Sequence, residues 1–470
     1  MGFLKDAFYF VFNLLWGDII KIPMPDGNEL GISVLVIILL LAGVYFTIKS
    51  RFLSVRLLPE MLHLTTEKKT SDKNGISGLQ ALIVSTATRV GMGNLAGVVA
   101  AISLGGAGAV FWMWVTAILG SATAFAEGTL AQLHRKSDPL YNGYRGGPAY
   151  YIHDFFESKK NTKKRFVTIS VLFAISGLIC WCGISQVIGN SVSESMKNAF
   201  SVPPVATAVA LTVISAIIVL RKNATVKVLD VVVPIMAGGF FLITLFIIFK
   251  NITLLPAVFA RIFKEAFGIK QIAGGSFGAV IMNGVKRGLF SNEAGSGSAP
   301  CAAAAANSDH PAKQGLLQAF GVFIDTIIIC SCTAMIMLLV PENVTEGLSG
   351  MRLLQASMEY HLGYFGVVFI AVTVLLFSFS TFIGVLFYAR SNVSYLFGDR
   401  WSAQTVYKIL ALVMLFMGCL AKYTFVWDLG DLGIALMTIF NMIVLIPMSS
   451  EAFKSLKDYE QQIKIRKKQK

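Results

Sequence analysis

The residues best placed to do chemistry lie where a long apolar segment is interrupted. Ser85 to Val99 reads STATRVGMGNLAGVV, with Gly91, Gly93 and Gly97 beside Arg89 and Asn94. A helix interior holding several glycines is weak, because glycine gives up more backbone freedom on folding than any other residue. In lipid an opened helix leaves N–H and C=O groups without partners, which is tolerated only where the backbone lines a cavity that supplies new ones. The spacing therefore predicts a break near Val90–Gly93 whose freed peptide groups bind a solute and a cation. A merely kinked span, packed closely through its glycines, is the competing reading. The carboxyl end of the first half-helix offers the carbonyls of Ala87, Thr88 and Val90 to the cation. The amino end of the second half offers the N–H groups of Met92 and Gly93 to an anionic group.

Other residues extend this set. A second glycine-interrupted run, GGSFGAVIMNGVKRG, predicts a break at Ser276–Gly278 with Phe277 as a wall or lid. Ser380 and Thr381 place hydroxyls inside an apolar helix. Such hydroxyls either bond back to their own backbone or, beside free carbonyls, complete the oxygen shell of a hard cation. Gln186 and Asn190, one turn apart, share a helix face suited to reading an amine or a side-chain group. Asn283 is a further candidate, so the solute-binding set is Thr88, Met92, Gly93, Gln186, Phe277 and Asn283. Arg89, Glu127 and Asp325 are charged residues within spans, each costing about 2.5–3.5 kcal/mol at a helix centre on insertion scales. Arg89 is therefore expected to pair with one of the two acids as a structural or gating bridge. There is no Walker loop, no HExxH and no Cys/His metal spacing, and most of the six cysteines fall in apolar spans as packing residues.

The elements that must position these groups follow from composition. The chain has 470 residues, 55% hydrophobic and 14% charged, with a mean hydropathy of +0.69. A soluble domain is about a quarter charged, so this reads as an all-α polytopic membrane protein. Apolar runs place about eleven spans, at 29–49, 77–103, 108–133, 166–192, 204–221, 228–250, 272–290, 315–340, 364–389, 403–421 and 425–449. Residues 1–28 read as an interfacial segment, 29–49 as an extra span, and 450–470 as a basic cytoplasmic tail. The net charge of +14 sits in loops and points to orientation, not to nucleic acid. One set of loops and the tail holds 29 Lys and Arg, the opposite set nine, which puts the N-terminus outside and the C-terminus in the cytoplasm. Residues 77–250 and 272–449 form two groups of five spans, each opening on a broken one. Five is odd, so the groups are inverted, the pattern of a transporter with its site near the midplane.

Five stretches then carry a resemblance. RVGMGNLAGV (Arg89–Val98), GAVFWMWV (Gly108–Val115), GGPAYYI (Gly146–Ile152), RGLFSNEAGSGSAP (Arg287–Pro300) and QAFGVFIDT (Gln318–Thr326) resemble the alanine or glycine:cation symporter family. The resemblance implies a leucine-transporter-like fold of ten core helices in two inverted fives, plus one. It implies sodium-coupled symport of a small neutral amino acid into a prokaryotic cell across its plasma membrane. No cofactor beyond the coupling ion is expected, and the lipid bilayer is the expected partner, with a monomer as the working assumption. GMGN (Gly91–Asn94) is similar to a GLGN of the wider fold, which puts the Met92 and Gly93 amides on the substrate carboxylate. The same match puts the Ala87, Val90 and Phe377 carbonyls, with the Ser380 and Thr381 hydroxyls, on sodium. It also puts Phe277 on the aromatic of the second unwound helix and Gln186 on a substrate-reading glutamine. The family usually carries threonine at the Met92 position and commonly glutamine near Asn283, which bears on the choice of substrate. A proton-coupled or glutamine-preferring transporter is the alternative, ahead of a channel or a non-transporting sensor.

Overall fold

The computed structural model describes residues 2–23, 29–66, 77–160, 164–221, 225–267 and 277–468. The chain opens with α1 (Gly2–Trp16), then an antiparallel strand pair, Ile20–Pro23 with Glu29–Ile32. Next come α2 (Val34–Lys49), capped by the Ser33 hydroxyl accepting from the Val36 N–H, and α3 (Leu58–Thr66). Helices α4 (Gly78–Arg89) and α5 (Gly93–Gly105) make up the interrupted segment. There follow α6 (Gly108–Leu133), α7 (Pro148–Lys160), α8 (Thr168–Phe200), α9 (Pro204–Val219), α10 (Thr225–Lys250) and α11 (Leu255–Ala266). The remainder is α12 (Phe277–Asn292), α13 (Pro300–Ala305), α14 (Pro311–Leu338), α15 (Gly350–Leu362), α16 (Tyr364–Phe397), α17 (Trp401–Leu420) and α18 (Tyr423–Lys468).

Among the described residues six helices are long and apolar enough to cross a membrane: α6, α8, α14, α16, α17 and most of α18. The α10–α11 pair, bent by 76°, makes a seventh if counted as one span, and α2, α5 and α9 are shorter apolar helices. The protein is an all-α polytopic membrane protein.

Three expectations change. The first span is helical only from Val34, because the chain before it is spent on the strand pair. The basic tail is no separate surface segment but the continuation of α18. Leu456, Tyr459 and Ile463 recur at helical spacing, are buried, and dock the tail on the body. Glu60 of α3 accepts from the Tyr459 hydroxyl at 2.7 Å and from Arg466 at 2.5 Å.

The third change is the largest. Ser276 of the expected second break lies outside the described residues, and Phe277 and Gly278 begin a helix that runs unbroken to Asn292. The chain unwinds instead over 293–299, where Gly295 (φ +92°) and Gly297 (φ +84°) take backbone conformations that exclude most side chains. Helix resumes with Pro300 at its first position. The polar run expected as a cytoplasmic loop is buried from Arg287 to Ala306. Lys286 and Arg287 are therefore not loop charges. Both hold the buried Asp431 of α18, Arg287 through two bonds of 3.1 and 2.9 Å and Lys286 at 2.8 Å. The Phe12 and Trp16 rings of α1 cover Lys286. Without this pair the charge asymmetry is 27 to nine.

Candidate functional site

The first break stands where the glycine spacing placed it. A capping box of Ser77 and Gln80 starts α4, and Val90 (φ −73°, ψ +77°) ends it. The Gly91 N–H turns to the Asn94 side-chain oxygen at 2.9 Å, and the Met92 N–H to the Thr381 hydroxyl at 3.3 Å. Residues Gly93–Gly97 are wound as a π-helix before α5 becomes α-helical, a distortion frequent at functional sites. A Cβ on Gly93 would lie 2.8 Å from the Ser291 Cα, so glycine is what lets the two interrupted helices touch, backbone to backbone.

Asp325, in a second π-helical stretch (Phe323–Cys330), joins the pieces. One of its oxygens accepts from Asn94 Nδ2 at 2.8 Å; the other accepts from the Ser291 hydroxyl at 2.9 Å and the Thr326 hydroxyl at 2.7 Å. Asn94 and Ser291 also approach the Cys330 sulfur, at 3.2 and 3.1 Å. On the other side Glu127 of α6 braces the second break, accepting from the Gly295 N–H at 2.9 Å and from Asn441 at 2.5 Å. Asn441 also donates to the Gly295 carbonyl at 3.0 Å and accepts from the Tyr151 hydroxyl.

Arg89 is not paired as expected. Its Nη1 donates to the Gln318 carbonyl at 3.2 Å, while Nε and Nη2 have no hydrogen-bond partner among the described residues. Glu127 and Asp325 are occupied by the neutral donors just named, so Arg89 acts on them, and on Glu293, only at longer range. With all four groups ionised, three carboxylates face one guanidinium, two negative charges in excess.

The remaining candidates divide. The Ser380 and Thr381 hydroxyls both bond back to the Phe377 carbonyl, at 2.9 and 2.8 Å, and Thr381 in addition faces the break through Met92. The Met92 sulfur accepts from the Ser378 hydroxyl at 2.9 Å, so its side chain lies against α16. Ala87 and Thr88 belong to the last turn of α4, next to Val90. Four residues are not brought to the breaks. Gln186 faces α17, its Nε2 at 3.4 Å from the Met414 sulfur and its oxygen without a partner among the described residues. Asn283 bonds back to Ala279 at 2.8 Å. Phe277 and Asn283 precede Ser291 by 14 and eight residues of continuous helix, about 21 and 12 Å at the α-helical rise. Asn190 is spent on the Gly418 and Ala421 carbonyls.

Glu293, Ser291 and Asn441 are the residues that sequence reasoning missed. The signal was an acid at the head of a Gly/Ser-rich run following a helix, read as polar loop. No group of three or more His, Cys, Asp or Glu side chains converges as a metal site among the described residues, and all six cysteines are free and buried. The oxygens gathered at Asp325, Ser291 and Thr326 are hard donors, suited to a hard cation.

A polytopic helical protein in which two interrupted helices meet and turn peptide groups and acids inward has the build of a secondary transporter. The chain belongs to the sodium:alanine symporter family, which it matches over residues 24–470. It is 44% identical over 443 residues to the probable sodium/glutamine symporter GlnT of Bacillus subtilis (strain 168), covering 93% of this chain and 90% of that protein. It is 42% identical over 432 residues to the amino-acid carrier protein AlsT of the same organism, covering 91% and 89%. A mutant manganese transporter of Eremococcus coleocola shares the fold alone, with a TM-score of 0.51 at 12% identity over 82% of this chain and 83% of that one. The protein is thus a membrane transporter of the amino acid–cation symport class, and not an enzyme.

Proposed function

We propose that the protein couples sodium entry to uptake of a small neutral amino acid, alanine- or glycine-like, by alternating access. The observation that carries this reading is the close contact of Gly93, just past the first break, with Ser291, in the last turn of α12 before the second, beside the buried acids Glu127, Glu293 and Asp325. In this reading eleven spans form two inverted groups of five plus α2, with the C-terminus in the cytoplasm. The first group runs from α4–α5 to α10 and the second from α12–α13 to α18. The substrate carboxylate meets the amides at Met92 and Gly93. Sodium meets the carbonyls of Ala87, Val90 and Phe377 with the hydroxyls of Ser380 and Thr381.

Uptake of labelled alanine into proteoliposomes tests it. Uptake driven by an inward sodium gradient should exceed uptake without one. Equal stimulation by a proton gradient alone would replace the coupling ion, and no gradient dependence would leave a passive pore. For the ion site, the double variant Ser380→Ala/Thr381→Ala removes two oxygens. The half-saturating sodium concentration should rise about tenfold or more, with the amount of folded protein unchanged. Unaltered sodium dependence would reduce both hydroxyls to helix back-bonding.

A second substrate, glutamine, is favoured by the name of the 44% identical relative. Met92 bears on this choice, since it is buried at the break. Met92→Thr shortens the side chain and adds a hydroxyl, and a methylene in an apolar pocket is worth about 10–200-fold in discrimination. The variant should re-rank glycine, alanine, serine and glutamine as competitors while keeping its sodium dependence, because the side chain at position 92 is not among the groups that hold the ion. An unchanged ranking would mean that Met92 only packs against Ser378.

A further inference from the structure

We infer that Glu293 receives the ammonium group of the transported amino acid and thereby sets the requirement for a free amino group in the cargo. This rests on the amino-acid reading above. Glu293 heads the unwound segment between α12 and α13, two residues after Ser291, which touches the first break. It is only 4% exposed and holds φ +57°, a left-handed conformation rare for a residue with a side chain. Such strain persists where the surroundings over-determine it, and it clusters at ligand clamps.

The Tyr388 hydroxyl engages the carboxylate, yet the Oε2 atom has no hydrogen-bond partner among the described residues. A buried carboxylate oxygen in that state is costly, because burial strips its solvation and no protein donor among the described residues replaces it. Its two acidic neighbours, Asp325 and Glu127, are satisfied by neutral donors, and both act on Glu293 repulsively. Arg89 is the basic residue acting on it, from beyond ion-pair distance. An arriving ammonium supplies what Oε2 lacks, a charged donor with more than one N–H. A sodium ion offers the same positive charge without hydrogen-bond donors, so the test must separate the two.

Glu293→Gln keeps the shape and removes the charge. In proteoliposomes three quantities are compared with the parent: half-saturating L-alanine, half-saturating sodium, and competition by L-lactate, which carries a hydroxyl in place of the ammonium. The variant should need about tenfold more alanine or higher, keep its sodium requirement within about twofold, and lose preference for alanine over lactate by the same factor as its alanine affinity. A shift confined to sodium would overturn the assignment and make Glu293 an ion ligand. An unchanged alanine-to-lactate preference would overturn it as well. The parent alone provides a check that does not depend on the variant's folding: equal inhibition by lactate and alanine would overturn the inference. A parent that carries no neutral amino acid would overturn the functional reading itself.

Discussion

Replacing Asp325 with alanine should abolish transport and lower the melting temperature by several degrees, whereas Asp325→Asn should leave the fold intact. The carboxylate takes three side-chain donors at 2.7–2.9 Å, from Asn94, Ser291 and Thr326, one from each piece of the junction. Alanine strands the Ser291 and Thr326 hydroxyls, at about 1–3 kcal/mol for each unsatisfied group, while Asn94 keeps its 3.0 Å bond to the backbone carbonyl of residue 325. Asparagine can still accept from Asn94, and its amide can donate to the two hydroxyls, so the network survives without its charge. The pair of variants separates the structural role from the electrostatic one. Thermal melting in detergent, followed beside sodium-driven uptake, reads both. If the alanine variant melts with the parent, the hub is not what joins the two broken helices. If the asparagine variant transports with parental sodium dependence, the charge of Asp325 plays no part in coupling.

Gly93→Ala should reduce transport by at least tenfold, while Gly97→Ala, one turn further on, should be nearly silent. The added methyl at position 93 would stand 2.8 Å from the Ser291 Cα, a backbone atom that cannot turn aside. At position 97 the nearest atom is 3.9 Å away, ordinary contact with the Phe290 ring. Overpacking of this kind costs about 1–3 kcal/mol, and here it acts by pushing apart the two breaks that make the site. Uptake rates normalised to folded protein check the pair. Equal rates for both variants would show that the breaks need not touch.

Much of this was legible in the residues. Three glycines within seven residues weaken a helix, and the break at Val90–Gly93 stands where that argument puts it, whereas the more widely spaced Gly278, Gly284 and Gly288 leave α12 unbroken. Composition alone sets the all-α membrane class, because about twenty apolar residues recurring through a chain leave no other solvent for it. Arg89, Glu127 and Asp325 were marked as interior charges by their place within spans, and all three are buried. The five stretches from RVGMGNLAGV to QAFGVFIDT carried the family.

What tertiary structure alone decided was where polar sequence meets water and where it meets protein. FSNEAGSGSAP reads as a loop because serine, asparagine and glycine favour solvent, yet here it is buried and unwound against Glu127 and Asn441. Local sequence records polarity but not the distant donors that satisfy it, and those lie more than 140 residues away in both cases. The same reason misplaced the partner of Arg89. An interior charge demands compensation, but neutral amides and hydroxyls can saturate the nearby acids first, and which does so depends on helix packing. Gln186 shows the remaining gap: a period of 3.6 assigns a residue to a face of its helix, and only the assembled bundle decides which neighbour that face meets.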